Sequence, residues 1–123
     1  SCIYGTEILI GENTAKEIKN DFHLRKIDLV RVKGRNQAAH IYELIDNVNS
    51  PLTDKKNRFL EYYNTGFSLY KNQKWPNALE HFILANDILP EDGPTIVMIK
   101  RCRHYAENKP VGDWDGVFDH KTK

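Results

Sequence analysis

The sequence has few cysteines, and the two that it has cannot form a familiar metal or disulfide pattern. Cys2 and Cys102 are the only cysteines in 123 residues, and neither belongs to a C-x-x-C pair or a His/Cys cluster. A structural zinc site or a disulfide framework is therefore not expected. Two lone thiols are typical of a reducing compartment, so we predict a cytoplasmic location.

Long apolar runs and an excess of one charge are also missing. No stretch approaches the roughly 18 apolar residues that a membrane span needs, and no secretory apolar core opens the chain. The 18 basic and 17 acidic side chains leave a formal net charge of +1. Membrane contact by this segment and binding of nucleic acid are therefore not expected.

The composition that remains is that of a folded globular protein. Hydrophobic residues make up 40% and charged residues 28% of the chain, which is typical of a packed domain rather than a disordered segment. A chain of this length can bury one modest core. It opens with Ser1 and enters an apolar stretch at once, so we expect it to be part of a longer protein.

Residues 1–45 have the pattern of mixed α/β structure. The apolar run at 7–10 predicts a strand. The spacing of Thr14 and Glu17 fits a capping box, and Ala15, Ile18 and Phe22 follow at helical spacing, so we predict a helix over 14–21.

Two β-rich runs follow, Ile27–Val32 and Ala38–Ile45, separated by the turn 33–37, in which Gly34 permits a positive φ angle. So few strands form a marginal sheet, which we expect to be completed by strands from outside this chain. The polar, turn-rich residues 46–52 predict a linker.

Residues 53–108 change to helical periodicity. The first helix carries an apolar stripe formed by Phe59, Tyr62, Tyr63, Gly66, Leu69 and Tyr70. Pro76 is suited to the start of a second helix that ends before Pro90. A third helix over 94–107 has as its predicted buried residues Ile96, Val97, Ile99 and Cys102. Residues 109–123 predict an irregular tail, in which Trp114 either docks on the helices or lies in a disordered end.

The helical half resembles one tetratricopeptide repeat. The matching positions are Gly66, Ala78, Phe82, Ala85 and Pro90. Small residues there let two helices approach closely, with Phe82 filling the gap between them. Tyr62 and Thr65 depart from the usual Trp and Leu. Since repeat arrays need about three units to form a groove, packing on its own protein or on a second copy is favoured over binding of a client peptide.

The first half resembles the end of a class III nucleotide cyclase domain. The strings that carry the resemblance are Tyr4-Gly5-Thr6-x-Ile8-Leu9-Ile10-x-Glu12-x-Thr14, Arg25-x-Ile27-Asp28-Leu29-Val30-Arg31-Val32-Lys33-Gly34-Arg35 and Ile41-Tyr42-Glu43-Leu44. The helical region ending in Trp114-Asp115-Gly116-Val117 is similar to the C-terminal extension of many bacterial adenylate cyclases.

This resemblance implies an α+β fold: the strand–helix–hairpin end of a ferredoxin-like catalytic domain over 1–45, then a tetratricopeptide-like helical hairpin with a third helix. The parent enzyme would convert ATP to 3′,5′-cyclic AMP and pyrophosphate as a homodimer with Mg²⁺ or Mn²⁺. It could still be anchored in a membrane by another segment. In family order the metal-binding and catalytic residues precede Ser1, so this fragment is expected to be non-catalytic and to bind no metal or other cofactor. Its expected roles are structure, dimerisation or regulation, with the rest of the catalytic domain as partner.

One functional position of the family falls within the chain. The resemblance implies that Lys33, at the hairpin tip, reaches the terminal phosphates of the substrate; the alternative is a solvated turn lysine. Arg31 and Arg35 could add positive potential there. Arg25 and Asp28 are interpreted as structural, as partners in the sheet or at its edge.

The remaining polar side chains predict no site of their own. The five histidines are scattered and are interpreted as surface or packed residues. The basic residues Lys100, Arg101, Arg103 and His104 are explained by the negative end of a helix dipole. Two further hypotheses remain: a stand-alone tetratricopeptide-like interaction module, and a small nucleotide-binding or nucleic-acid-binding protein that uses Lys33, Arg31 and Arg35.

Overall fold

The computed structural model describes residues 8–31 and 37–118. In those residues the strands are β1 (Leu9–Ile10), β2 (Phe22–Arg31) and β3 (Ala38–Asn47), and the helices are α1 (Glu12–Ile18), α2 (Asp54–Lys71), α3 (Trp75–Ile88) and α4 (Gly93–Glu107). The strands form an antiparallel sheet in the order β1-β3-β2. The predicted α+β class is confirmed at this level.

Strands β2 and β3 form the long ribbon of the sheet. Arg31 pairs with Ala38 at one end of the ribbon and Phe22 with Asn47 at the other. An irregularity between Lys26 and Asp28 interrupts the register. Such a bulge breaks the alternation of faces, and residues 27–29 are accordingly all buried. The ribbon therefore turns polar as well as apolar side chains toward the core.

Helix α1 corrects two predictions. It begins after Gly11, whose extended backbone precedes the helix without any side-chain cap, so the capping box of Thr14 and Glu17 is wrong. The helix ends at Ile18, and Phe22 is the first residue of β2. The strand begins five residues before the predicted start because pairing with β3 continues to that end of the ribbon.

Helices α2 and α3 pack together around a close contact. Thr53 caps α2 by accepting the backbone N–H of Lys56, and Pro76 lies in the first turn of α3 as predicted. A Cβ atom added to Gly66 would lie 3.0 Å from the ring of Phe82. The predicted close approach of these two helices is therefore present.

Helix α4 buries a different face from the predicted one. Asp92 caps the helix by accepting the backbone N–H of Thr95 at 3.0 Å. The buried face consists of Pro94, Thr95, Met98, Arg101, Cys102 and Tyr105. Cys102 was predicted correctly, whereas Ile96 is exposed and Val97 and Ile99 are only half-buried. Burial raises the pKa of the Cys102 thiol to about 12.

The main core lies among the helices and is aromatic. It contains Phe59, Tyr63, Phe67, Tyr70, Trp75, Phe82 and Tyr105 with the smaller residues between them. Trp114 of the tail joins this core, with ring centroids 5.2 Å from Tyr70 and 5.1 Å from Trp75. Of the two alternatives for Trp114, docking on the helices is the one observed.

None of the helices in residues 8–31 and 37–118 combines the length and apolar character needed to cross a membrane.

Candidate functional site

The predicted phosphate-binding residue, Lys33, lies in the sequence between β2 and β3, in the predicted turn 33–37. Lys33 and Arg35 belong to residues 32–36, which lie outside the described residues, as do Val32 and Gly34. The described residues that flank this turn are Arg31 at the end of β2 and Gln37 before β3. The site can therefore be described up to its base, which the contacts of β2 define.

Arg31, at the base of the turn, is engaged by the tail. Its Nη2 atom donates to Asp115 Oδ2 at 2.6 Å, and both side chains are partly exposed. Desolvation raises the pKa of Asp115, but the hydrogen bonds from Arg31 and from the backbone N–H of Val117, together with the charge of Arg31, outweigh it and hold the pKa below its usual value. In this arrangement Arg31 serves to join the tail to β2, rather than to add free positive potential beside Lys33.

Gly116 brings the tail against the same strand. Its φ angle is +93°, a left-handed conformation that favours glycine. A Cβ atom at this position would clash with Leu29 Cδ1. The indole N–H of Trp114 donates to the carbonyl of Val117 at 3.0 Å and closes the turn. The Trp-Asp-Gly-Val string thus forms a clasp, residues 114–117, over the end of β2.

Arg25 joins the middle of the sheet to the start of α4. Its guanidinium donates to both carboxylate oxygens of Asp92, at 2.9 and 3.0 Å, and to Glu43 Oε1 at 3.0 Å. The side chain is 1% exposed and lies over the rings of Tyr63 and Phe59, 4.7 and 5.5 Å from their centroids. Bidentate pairing and cation–π contact offset the cost of burying this charge.

Arg25 and Asp92 shift each other's pKa. Burial raises the pKa of Asp92, but the hydrogen bonds from Arg25 and Thr95 outweigh it and hold that pKa below its usual value. Burial likewise lowers the pKa of Arg25, but the hydrogen bond with Asp92 and the nearby negative charges of Asp92 and Glu43 together outweigh burial, so the pKa of Arg25 is raised. Both groups are therefore charged at neutral pH.

A second buried ion pair joins Asp28 of β2 to Arg101 of α4. The Nη1 atom of Arg101 donates to Asp28 Oδ1 at 2.8 Å, and both side chains are 4% exposed. The same carboxylate oxygen accepts the backbone N–H of Leu29 at 2.8 Å. The guanidinium of Arg101 lies 4.6 Å from the ring centroid of Phe118. The dipole explanation of Arg101 is therefore wrong, because this residue is a buried partner of the sheet.

Arg25 and Asp28 have the structural role predicted for them. Glu43 is the partner of Arg25 within the sheet, as expected, but Asp92 and Arg101 come from the helical half. Ion pairs and the contact of Gly116 with Leu29 therefore join β2 to α4 and to the clasp. Sequence reasoning missed Asp92, Arg101 and Asp115 as partners of β2. The sequence signal for buried ion pairs was Arg25 within the strand-like string and Arg101 on a largely apolar helix.

A polar cluster around His40 was also missed. His40 of β3 lies between Glu12 of α1 and Lys71 of α2: its Nδ1 atom is 3.2 Å from Glu12 Oε1 and its Nε2 atom 3.1 Å from Lys71 Nζ. Because a lysine ammonium only donates, Nε2 must accept and Nδ1–H must donate. His40 is therefore neutral, in agreement with a pKa lowered by burial and by Lys71 and Lys26.

Metal chemistry has no counterpart in the described part of the chain. Among residues 8–31 and 37–118, no group of three or more His, Cys, Asp or Glu side chains is arranged to hold a metal ion. The described residues instead provide structural ion pairs and a cationic cleft beside His40.

Comparison with known proteins shows that the chain is similar to part of an adenylate cyclase. The chain is 37% identical over 102 residues, 80% of its length, to the Dictyostelium discoideum protein "Adenylate cyclase, terminal-differentiation specific". The match spans only 5% of that protein. No protein-family model matches the chain, and no solved structure matches it. The similarity indicates that this chain is related to part of an adenylate cyclase.

Proposed function

We propose that this chain is the C-terminal part of a class III adenylate cyclase of the bacterial type, whose catalytic domain it completes. The observation that carries the proposal is the 37% identity to a Dictyostelium adenylate cyclase over 102 residues. The parent enzyme would make 3′,5′-cyclic AMP and pyrophosphate from ATP as a cytoplasmic or membrane-anchored homodimer. Mg²⁺ or Mn²⁺ would be held by residues outside this chain and would activate the ribose hydroxyl and clamp the triphosphate.

The role proposed for this chain is positional rather than catalytic. Lys33 on the turn between β2 and β3 would contact the terminal phosphates of ATP, where a flexible ammonium neutralises charge without strict geometry. Arg25, Asp28 and Arg31 would hold β2 against α4 and the clasp. Since misplacing a charged group by about 1 Å can cost about a hundredfold in rate, such support is valuable at the base of the turn.

The proposed architecture follows the same reasoning. The sheet and α1 would be the end of a ferredoxin-like domain, and α2 and α3 a tetratricopeptide-like hairpin. The close contact of Gly66 with Phe82 supports the second assignment. The buried ion pairs between β2 and α4 favour a helical extension that packs on its own catalytic domain over a stand-alone interaction module.

Complementation tests the proposal directly. A class III catalytic domain truncated before its closing hairpin is mixed with this chain, and cyclic AMP formation from ATP and Mn²⁺ is measured. We expect activity only in the mixture, and we expect Arg25→Met to weaken complementation while exposed Arg58→Met does not. If the mixture is as inactive as its components while the two proteins bind each other, completion of the domain by this chain is wrong.

A further inference from the structure

A cleft opens between the sheet and α2. Its volume is about 350 Å³, within the range of about 300–1,000 Å³ typical of small-molecule sites. The polar groups that line it come from β2, β3 and α2, and they are Lys26, Tyr42, Asn64, Ser68 and Lys71. Leu24 and Phe67 complete the lining with apolar surface.

The cleft is cationic and contains no compensating carboxylate among the described residues that line it. Lys26 is exposed and Lys71 half-buried. Burial lowers the pKa of Lys71, and the charge of Lys26 lowers it further, because the two ammonium groups repel each other. A negatively charged ligand would relieve this repulsion.

Lys71 is held in place by the cluster behind it. One of its N–H groups donates to His40 Nε2 at 3.1 Å, while the opposite ring nitrogen of His40 donates to Glu12. The contact with a neutral imidazole fixes the position of the ammonium without cancelling its charge. Because an ammonium has three N–H donors, Lys71 retains two for a ligand in the cleft.

The neutral groups of the lining suit the same ligand. Tyr42 and Ser68 carry hydroxyl groups and Asn64 an amide, and all three can donate hydrogen bonds to an oxyanion. Two cations match the two charges of a phosphate monoester, and Leu24 and Phe67 offer apolar surface to its organic part.

We propose that this cleft binds the dianionic phosphate group of a small phosphomonoester, with Lys26 and Lys71 as its charged contacts. This site is distinct from the proposed contact of Lys33 with ATP and does not depend on the cyclase assignment. The ligand is recognised by charge and by its apolar body together, so inorganic phosphate is expected to bind more weakly than an aryl phosphate.

The test is a titration of the isotope-labelled 123-residue chain by NMR, with phenyl phosphate, inorganic phosphate or sodium chloride at matched ionic strength. We expect saturable shifts centred on Tyr42, Asn64 and Ser68, with phenyl phosphate binding more tightly than inorganic phosphate. Lys26→Met and Lys71→Met should each weaken binding at least about tenfold, since each removes one charge-assisted contact.

Matched variants separate the site from general charge effects. Lys100→Met, on the exposed side of α4, should leave the affinity for phenyl phosphate unchanged. Lys26 is exposed, so its variant tests the site even if Lys71→Met is destabilised. Equal shifts with sodium chloride, shifts lying elsewhere, no shift with any ligand, or unchanged affinity in a folded Lys26→Met variant would each overturn the proposal.

Discussion

Arg25 and Arg101 bury their charges where the sheet meets the helices. Removing a guanidinium from water costs several kcal/mol, which only close and well-oriented partners recover. Arg25 has Asp92 and Glu43, and Arg101 has Asp28 at 2.8 Å. Apolar residues of similar size could stabilise the contact as well, but they would not impose the same alignment of β2 on α4. We therefore attribute to these pairs the register between strand and helix.

The Asp28–Arg101 pair gives a prediction at this scale. Asp28→Asn removes the charge that compensates a buried guanidinium, so we expect the free energy of unfolding to fall by about 3–5 kcal/mol. Urea unfolding at neutral pH measures this change in the free energy of unfolding. Arg103→Met, on the exposed face of the same helix, should change stability by less than about 0.5 kcal/mol. Equal, small effects of the two substitutions would contradict the importance of the pair.

The glycines of the tail allow a matched comparison. Gly112 and Gly116 both have positive φ angles, of 71° and 93°, but only Gly116 has a neighbour, Leu29, within 4 Å of an added Cβ atom. Gly112→Ala should cost about 1 kcal/mol from backbone strain alone, and Gly116→Ala at least about 2 kcal/mol more because it also clashes with Leu29. Thermal and urea unfolding of both variants measure the difference. Equal losses of unfolding free energy in the two variants would show that the clasp does not pack closely against β2.

At the scale of elements, local patterns predicted most helices and strands but not every boundary. The apolar stripe of α2 and the proline at the start of α3 were sufficient to predict these two helices, because both signals are local. The capping box at Thr14 failed because the chain enters α1 earlier, at Gly11. Strand β2 is longer than the apolar run from which it was predicted, because pairing with β3, a long-range interaction, extends the strand. The buried face of α4 was misjudged because Arg101 is polar by type, yet it is buried against Asp28 of β2 and the ring of Phe118.

The start of α4 should respond to acid. The pKa of Asp92 is lowered in the folded chain, so its stabilising contribution is present above its ordinary pKa of about 4 and is lost as pH falls through the folded value. We expect the unfolding free energy of the wild-type chain to decline more steeply below about pH 4 than that of Asp92→Asn. Denaturant unfolding between about pH 2 and 7 gives both slopes.

Asp87→Asn provides the matched control for this acid dependence. Asp87 is an exposed carboxylate on α3, and its substitution should leave the wild-type slope in place. Parallel slopes for the wild-type chain and Asp92→Asn would mean that the Arg25–Asp92 pair contributes nothing measurable to acid sensitivity.

At the scale of the whole molecule, the ion pairs should make the sheet and the helices open together. Arg25→Met leaves Asp92 and Glu43 without their guanidinium partner, at a cost of about 3–5 kcal/mol. Amide hydrogen exchange should therefore accelerate about a hundredfold or more in both β2 and the first turns of α4. Exposed Arg58→Met on α2 should change neither segment. Faster exchange in α4 with β2 unchanged would show that the two halves are stabilised separately.

The family resemblance could be predicted from the sequence, whereas the contacts that hold β2 beside the proposed site could not. The string through Arg25, Asp28 and Lys33 indicated a cyclase hairpin, and a cyclase relation is supported by the Dictyostelium protein. The contacts of Asp92, Arg101 and Asp115 with β2 span 67 to 84 residues. No local pattern specifies such pairs, because they depend on how the helices pack on the sheet.

The proposed function requires the helical half to support Lys33 where it contacts the phosphates of ATP. It is tested most directly by the kinetics of cyclic AMP formation in an intact adenylate cyclase that contains this segment. We expect Lys33→Ala to lower kcat/KM for ATP at least about tenfold, the loss of one charge-assisted contact, and exposed Lys55→Ala on α2 to leave it unchanged. A Lys33→Ala enzyme with wild-type kcat/KM would contradict the claim.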